Sequence, residues 1–318
     1  MRDHGGDLDR ARARFGGGAW TDLSTGINRT PYPLPEFAPS VWSSLPMQAD
    51  VDALESVAAT TYGAPRALAV AGAQAAIQVI PRLDTPATAA VLSPSYNEHA
   101  AALAAQGWRV RQASDPDAMQ GADLAVVVNP NNPDGRVWDP ASLASLAGKV
   151  GRLVVDESFM DATPDLSLAP RLAGERMVIL RSFGKFYGLA GLRLGFVLAG
   201  PETHAKLRTL VGPWAISGPA MVAGQAALTD APWRDAMAER LARDATRLDA
   251  IVRRAGWQLV GGCALFRTYE TPAAEAAQDR LARAKIWTRR FPYSQTWLRL
   301  GLPGAEVEWR ALEEALPG

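Results

Sequence analysis

Lys185 has a setting that suits covalent chemistry. It follows the apolar run 177 to 180, lies between Gly184 and Gly188 with Ser182 three positions earlier, and has Arg193 eight positions later. A lysine attacks a carbonyl only when its amine can lose its proton, which burial or neighbouring cations favour. A glycine-flanked lysine just past a buried strand meets that condition. Taken alone, the same segment also reads as a glycine-rich surface loop with scattered charge.

Two further segments end apolar runs in the same way. After 124 to 128 comes Asn129-Pro130-Asn131-Asn132-Pro133-Asp134-Gly135, a turn stiffened by its prolines and asparagines. After 153 to 155 comes Asp156-Glu157-Ser158-Phe159. Upstream, the short apolar run 67 to 71 turns through Gly72-Ala73-Gln74 into a helical stretch, 75 to 83. A strand turning through glycine into a helix start offers free backbone N–H groups and a positive dipole end, which suits a phosphate. Such junctions are common, and this one has a single glycine.

These loops need a scaffold that sets them side by side. Strand-like runs at 67–71, 89–92, 108–110, 124–128, 153–155, 177–180 and 194–198 alternate with helical stretches. The run 124 to 128 is too short for a helix and too apolar for an exposed strand, so it predicts a buried parallel strand. The alternation predicts an α/β fold with an open, largely parallel sheet, where ligands gather at the carboxyl ends of strands. Ahead of the sheet, Pro31, Pro33, Pro35 and Pro39 predict an extended arm over residues 1–40. The arm carries His4-Gly5-Gly6 and Ser24-Thr25-Gly26-Ile27-Asn28. By themselves these clusters read as a mobile terminus and an ordinary turn. Beyond Gly200, helices are predicted at 201–211, 217–229 and 232–255, the last with Trp233, Met237, Leu241, Leu248 and Ile251 on its core face. Short elements from 256 onward suit a small α+β domain containing Ile286-Trp287-Thr288-Arg289 and Trp297-Leu298-Arg299-Leu300. The expected organisation is an arm, 1–40, a large domain, 41–212, and a small domain, 213–318.

Composition narrows the class. The 318 residues include 33 basic and 33 acidic side chains, so net charge makes no case for nucleic acid or an anionic membrane. A polar, charged start and the lack of a long apolar run predict neither a secretory signal nor a membrane span. Cys263 is the single cysteine, which excludes intrachain disulfides and fits a cytoplasmic protein. The three histidines, His4, His99 and His204, leave little for a zinc site, and no metal is expected.

In order and spacing, Asn-Pro-Asn-Asn-Pro-x-Gly, Asp-Glu-x-Phe and Ser-x-x-Lys with the later arginine resemble the pyridoxal-phosphate enzymes of the aspartate aminotransferase superfamily. The resemblance implies fold type I, with a mostly parallel sheet between helices and a smaller C-terminal α+β domain. It also implies a pyridoxal 5'-phosphate cofactor and a homodimer. Lys185 would bind the cofactor aldehyde; Ser182 and Arg193, with Gly72, Ala73 and Gln74, would hold its phosphate. Asn132 would bond the phenolic oxygen, and Asp156 would face the pyridine nitrogen and favour its protonated form, a better electron sink. Tyr96 would stack on the ring, although a half-buried tyrosine is its plain alternative. Arg299 would pair with the substrate carboxylate through its planar fork, and Arg289 would support it, with the adjacent Arg290 as the alternative.

The arm narrows the resemblance. His4-Gly5-Gly6, Ser24 to Asn28 and Pro31-Tyr32-Pro33 resemble the threonine-phosphate decarboxylases of cobalamin biosynthesis, relatives of the histidinol-phosphate aminotransferases. That branch implies decarboxylation of L-threonine O-3-phosphate to (R)-1-amino-2-propanol O-2-phosphate. His4 and Gly5 would sit at the substrate phosphate, with Asn28 also binding substrate; Lys185, Asp156 and Asn132 would form the catalytic set. Phe159 replaces the tyrosine that most transaminases use near the phenolic oxygen. Leu45 stands where a tyrosine often reaches the neighbouring subunit's cofactor phosphate, Asp134 where threonine is usual and Arg29 where proline is usual. A histidinol-phosphate aminotransferase or related transaminase is the nearest rival. A nucleotide-binding α/β protein lacks Gly-x-Gly-x-x-Gly and a Walker lysine loop. A cofactor-binding scaffold without catalysis is disfavoured by the complete set of Lys185, Asp156, Asn132 and Arg193.

Overall fold

The apolar runs between 67 and 199 become strands of one seven-stranded sheet. The computed structural model describes residues 4–316. Among these the chain forms two compact units. One comprises Tyr32–Asn132 and Val137–Arg234; the other comprises the described residues through Pro31, Pro133–Arg136, and the chain from Asp235.

In the larger unit the strand order is Ala67–Val70, Gly195–Ala199, Met177–Ser182, Arg152–Asp156, Leu124–Val128, Thr88–Leu92 and Arg109–Ala113. Every residue of Leu124–Val128 and Arg152–Asp156 is buried, as a strand covered on both faces requires. The five strands from Met177–Ser182 to Arg109–Ala113 run parallel. Gly195–Ala199 is antiparallel to both of its neighbours, so the sheet is largely parallel and mixed toward one edge. Register then does the functional work: Val128 pairs with Asp156, and Asp156 with Leu180. Three chemically equipped segments therefore leave the sheet side by side at its carboxyl end. One face is packed by Leu68, Ile77, Leu103, Trp108, Val126 and Val154, each large apolar side chain contributing about 1.5–3 kcal/mol on full burial.

The smaller unit holds an antiparallel sheet in the order Arg289–Phe291, Ser294–Gly301, Phe266–Glu270, Gln258–Cys263. Met237, Leu241, Leu248 and Ile251 of the helix Ala231–Arg254 are buried, at the spacing the sequence predicts. The amino-terminal arm departs from the expected extended form. Leu8–Phe15 is an α-helix whose N-cap, Asp7, accepts a hydrogen bond from the Arg10 N–H at 3.1 Å. The helix buries Ala11 against Ala282 and Trp287. The four prolines all lie between 31 and 39 and restrain only their own neighbourhood. Thr21–Asp22 pairs in parallel with Ile286–Trp287, which ties the arm into this unit. No helix among the described residues is long and apolar enough to cross a membrane.

Candidate active site

Asp156 ends its strand fully inside the larger unit, 3% exposed. Its Oδ1 accepts the Ser158 N–H at 2.9 Å, and its Oδ2 lies 2.8 Å from His99 Nε2. Burial alone would push this carboxyl up; the hydrogen bond and charge of His99, the Ser158 contact and the charge of Lys185 outweigh it and hold the group below the usual range. Asp156 is thus a buried carboxylate, and an anionic Oδ2 places the shared proton on His99 Nε2. His99 is 4% exposed and belongs to the helix Asn97–Ala105, one turn beyond Tyr96.

Lys185 sits on the short helix Phe183–Phe186 that follows Met177–Ser182. Phe183, Phe186 and Tyr187 are fully buried around it, while Lys185 itself stays partly accessible. Its Nζ stands 4.5 Å from the centre of the Phe159 ring. An apolar ring in the tyrosine position gives the amine a partly desolvated wall without offering a hydroxyl. Behind the strand ends, Arg181 donates to Glu157 Oε2 and to Asp161 Oδ1, both at 2.8 Å. All three side chains are at most 3% exposed, so this triad fastens the strand that leads into the Lys185 helix to the segment after Asp156.

Gly72, Ala73 and Gln74, expected to hold the cofactor phosphate, lie at the start of the helix Ala73–Val79, with Gly72 as its N-cap. Gly72 has φ +77, and a Cβ there would lie 2.7 Å from Arg193 Nη2. Arg193 is itself left-handed, with φ 55, and its Nη1 donates to the Ala190 carbonyl at 3.0 Å. A non-glycine residue held in that region is a strained conformation of the kind found at ligand sites. The backbone gap at Gly72 and the guanidinium beside it fit a phosphate group, which meets the requirement that the implied cofactor sets. Tyr96, partly buried, donates through its hydroxyl to Gln74 Oε1 at 3.2 Å, and Gln74 Nε2 donates to Glu98 at 3.0 Å. This chain of bonds anchors the hydroxyl end of the Tyr96 side chain. Asn132 is partly buried in the turn after Leu124–Val128, whose shape is set by neighbouring bonds from Ser95 Oγ to Asn131 and from Asn131 Nδ2 to the Pro94 carbonyl. Ser182 ends its strand opposite Gly195.

In the smaller unit, Arg289 and Arg299 are directly opposed across antiparallel strands, so their side chains leave the same face. Arg299 is 5% exposed, and Nη2 donates to the Ser24 carbonyl at 2.7 Å. Burial, then the charge of Arg289, lowers its proton affinity, with a pKa pushed down to about 10. Such a pair of like charges suits anionic groups. Gly5 packs so close to Ser24 that a Cβ would collide with the Ser24 carbonyl, and the Gly6 N–H donates to Ser24 Oγ at 2.7 Å. His4, Ser24, Arg289 and Arg290 line one cavity, in which Arg290 pairs with Glu275 at 3.2 Å. Asn28, 5% exposed, uses its Oδ1 to accept the Thr30 N–H at 2.9 Å. The larger unit thus gathers Lys185, Asp156, Asn132, Phe159, Tyr96, Ser182, Arg193 and the Gly72 turn; the smaller gathers His4, Gly5, Asn28, Arg289 and Arg299.

The model of the family "Aminotransferase class I and II" matches residues 46–316. The chain belongs to that family. A threonine-phosphate decarboxylase of Pseudomonas aeruginosa is 43% identical over 327 residues, covering 100% of this chain and 98% of the relative. A second threonine-phosphate decarboxylase, from a Sinorhizobium species, is 42% identical over 98% of this chain and 97% of its own. Among solved structures, histidinol-phosphate aminotransferase from Sinorhizobium meliloti, in complex with pyridoxal-5'-phosphate, superposes with a TM-score of 0.84 at 20% identity, covering 97% of this chain and 93% of that one. At that identity the structure speaks for the shared fold.

His99 is the site residue that sequence reasoning missed. Its only signal is its position one turn after Tyr96 on a predicted helix. Two departures from the family pattern now have structural accounts. Asp134 Oδ2 accepts from Arg136 Nε at 2.8 Å, and Arg29 forms an ion pair with Glu308.

Proposed function

We propose that this protein is a pyridoxal-phosphate-dependent decarboxylase that converts L-threonine O-3-phosphate to (R)-1-amino-2-propanol O-2-phosphate and carbon dioxide, in the making of the aminopropanol arm of cobalamin. The observation that carries the choice is the 43% identity, along the whole chain, to a threonine-phosphate decarboxylase. The geometry agrees in both units. Bound pyridoxal phosphate supplies a ring that takes up the electron pair left when the carboxylate departs. Asp156, buried and anionic, would keep the ring nitrogen protonated, and His99 would hold that carboxylate in place. Arg193 and the Gly72 turn would hold the cofactor phosphate, Asn132 its phenolic oxygen, and Tyr96 one ring face. Lys185 would bind the aldehyde in the resting protein and, once displaced by substrate, return a proton to the α-carbon. Arg299 and Arg289 would grip the substrate's anionic groups, with His4, Gly5 and Asn28 completing its recognition. That grip would select carboxylate loss over proton loss by setting how the substrate's α-carbon is oriented.

We place the protein in the cytoplasm as a homodimer. The partly buried Cys263 thiol, pushed up to about 11 by desolvation, is poorly suited to disulfide exchange. Trp42, Leu45 and Met47, each more than 60% exposed, form an apolar stretch that a second copy would cover.

Incubation of purified holoprotein with L-threonine O-3-phosphate should release carbon dioxide and yield the amino alcohol phosphate without a keto acid. Amino transfer from histidinol phosphate to 2-oxoglutarate, with no carbon dioxide from threonine phosphate, would establish the transaminase reading instead. Loss of visible absorbance in Lys185→Ala would tie the cofactor to this lysine.

A further inference from the structure

The loop that carries Asn132 is held on both sides of that residue. At its base, Asn129 Nδ2 donates to the Trp138 carbonyl at 3.2 Å and the Trp138 N–H donates to Asn129 Oδ1 at 3.0 Å. Just before Asn132, Asn131 is fastened to Ser95 and Pro94. Directly after it, Pro133–Arg136 belong to the smaller unit. There the Pro133 carbonyl accepts from Oγ1 of the fully buried Thr268. The surrounding fit is backbone on backbone: a Cβ at Gly135 would collide with the Gly262 main chain, and one at Gly261 with the Asp134 carbonyl. Valine would fill the space of Thr268 and leave the Pro133 carbonyl without that donor. The proline ring locks its own φ, and the residue before a proline is itself restricted, so a fixed Pro133 carbonyl leaves Asn132 little freedom to move.

Strand register aligns this grip with the arginines. Gly261 pairs with Thr268, Thr268 with Arg299, and Arg299 with Arg289, so the four residues form one row across four strands, and the side chains in it leave the same face. The face that presents Arg299 and Arg289 therefore also seats the turn after Asn132. Resting on the reading above, in which Asn132 meets the cofactor's phenolic oxygen, we propose that Thr268 is a positioning residue for Asn132. By holding the Pro133 carbonyl it sets where the Asn132 amide stands, from the same sheet that carries the substrate arginines. An amide that donates to the phenolic oxygen favours its anionic form. Removing the Thr268 hydroxyl should weaken that bond and raise the pH at which the bound cofactor's visible absorption changes.

The test titrates that absorption, without substrate, in holoprotein carrying Thr268→Val, Thr268→Ser, Asn132→Ala, and Thr268→Val with Asn132→Ala. In Thr268→Val the midpoint should rise by about half a pH unit, and Thr268→Ser should restore it. The kcat for threonine phosphate should fall about threefold in Thr268→Val with KM within about twofold. The double variant should titrate like Asn132→Ala, because the hydroxyl acts through Asn132. Thr268→Ala, which also lacks the hydroxyl, supplies the same reading should circular dichroism show that valine disturbs the fold. A midpoint unmoved by loss of the hydroxyl, while Asn132→Ala shifts it, would overturn the proposal and leave the role of Asn132 intact. A further shift on adding Thr268→Val to Asn132→Ala would overturn it as well. Asn132→Ala without any shift would sink both roles. The expected titrations in a protein that leaves threonine phosphate unreacted would sink the proposed reaction alone.

Discussion

Asp156 shows how a single carboxyl is kept charged inside a protein. Burial, the largest influence, works against the anion, and His99, Ser158 and Lys185 together overcome it. Because the folded-state value lies below the ordinary one, the stability this group contributes is present above the unfolded value and is lost as pH falls through the folded value. Replacing His99 with phenylalanine removes the strongest opposing contact and leaves burial to dominate. The acid limb of kcat/KM and the acid unfolding midpoint, followed by circular dichroism, should both move to higher pH. At neutral pH kcat/KM should drop at least about tenfold, or about 1.4 kcal/mol of transition-state stabilisation. An unmoved acid limb would show that His99 does not set the charge of Asp156. The carboxylate was legible in the sequence because Asp-Glu follows an apolar run. Its partner was not: a helical period shows that His99 shares a face with Tyr96, but nothing local tells which strand end that face will meet. Arg299 was legible at the end of its run, whereas its opposition to Arg289 depends on a strand register that neither segment encodes alone.

At the level of elements, the proposed phosphate cradle rests on two unusual backbone positions, Gly72 and Arg193, both with positive φ. In Gly72→Ala the new Cβ would strain the turn by about 1–2 kcal/mol and would displace the Arg193 guanidinium from its place. Since that guanidinium is the flexible end of a side chain, the larger effect should fall on function. Cofactor Kd, read from the visible absorbance of the reconstituted protein, should weaken about tenfold or more while the apo form still folds cooperatively. Undiminished cofactor affinity would remove this turn from the phosphate site. Strands were readable where the apolar run was continuous: the expected run 124 to 128 is the observed Leu124–Val128. Direction was not readable for Gly195–Ala199, because a five-residue apolar strand looks alike parallel or antiparallel. The helix Leu8–Phe15 was hidden for another reason. It buries only Ala11 among its eight residues, so its apolar stripe is too thin to stand out beside a proline-rich neighbour.

At the scale of the whole molecule, chain order misleads about assembly. Pro133–Arg136, four residues inside the larger unit's sequence, belong to the smaller unit, where the Pro133 carbonyl accepts from Thr268 Oγ1. No periodicity marks such an excursion. The stretch from Leu34 to Met47 raises the larger question of what covers it. Leu34, Trp42, Leu45 and Met47 are 49%, 67%, 64% and 68% exposed, and the helix Ser40–Ser43 buries none of its own residues. A cluster of large apolar side chains this open is costly in water and typical of an interface. It lies where the family resemblance puts a residue that reaches the neighbouring subunit, so the partner is expected to be a second copy. Light scattering at micromolar concentration should then give twice the chain mass of 33.9 kDa. The double variant Trp42→Glu, Leu45→Glu, which introduces facing charges across a two-fold interface, should shift the protein toward monomer and weaken cofactor retention, with the monomer's circular dichroism unchanged. A wild-type protein that stays monomeric at those concentrations would assign the patch to a different partner and leave the cofactor site complete within one chain.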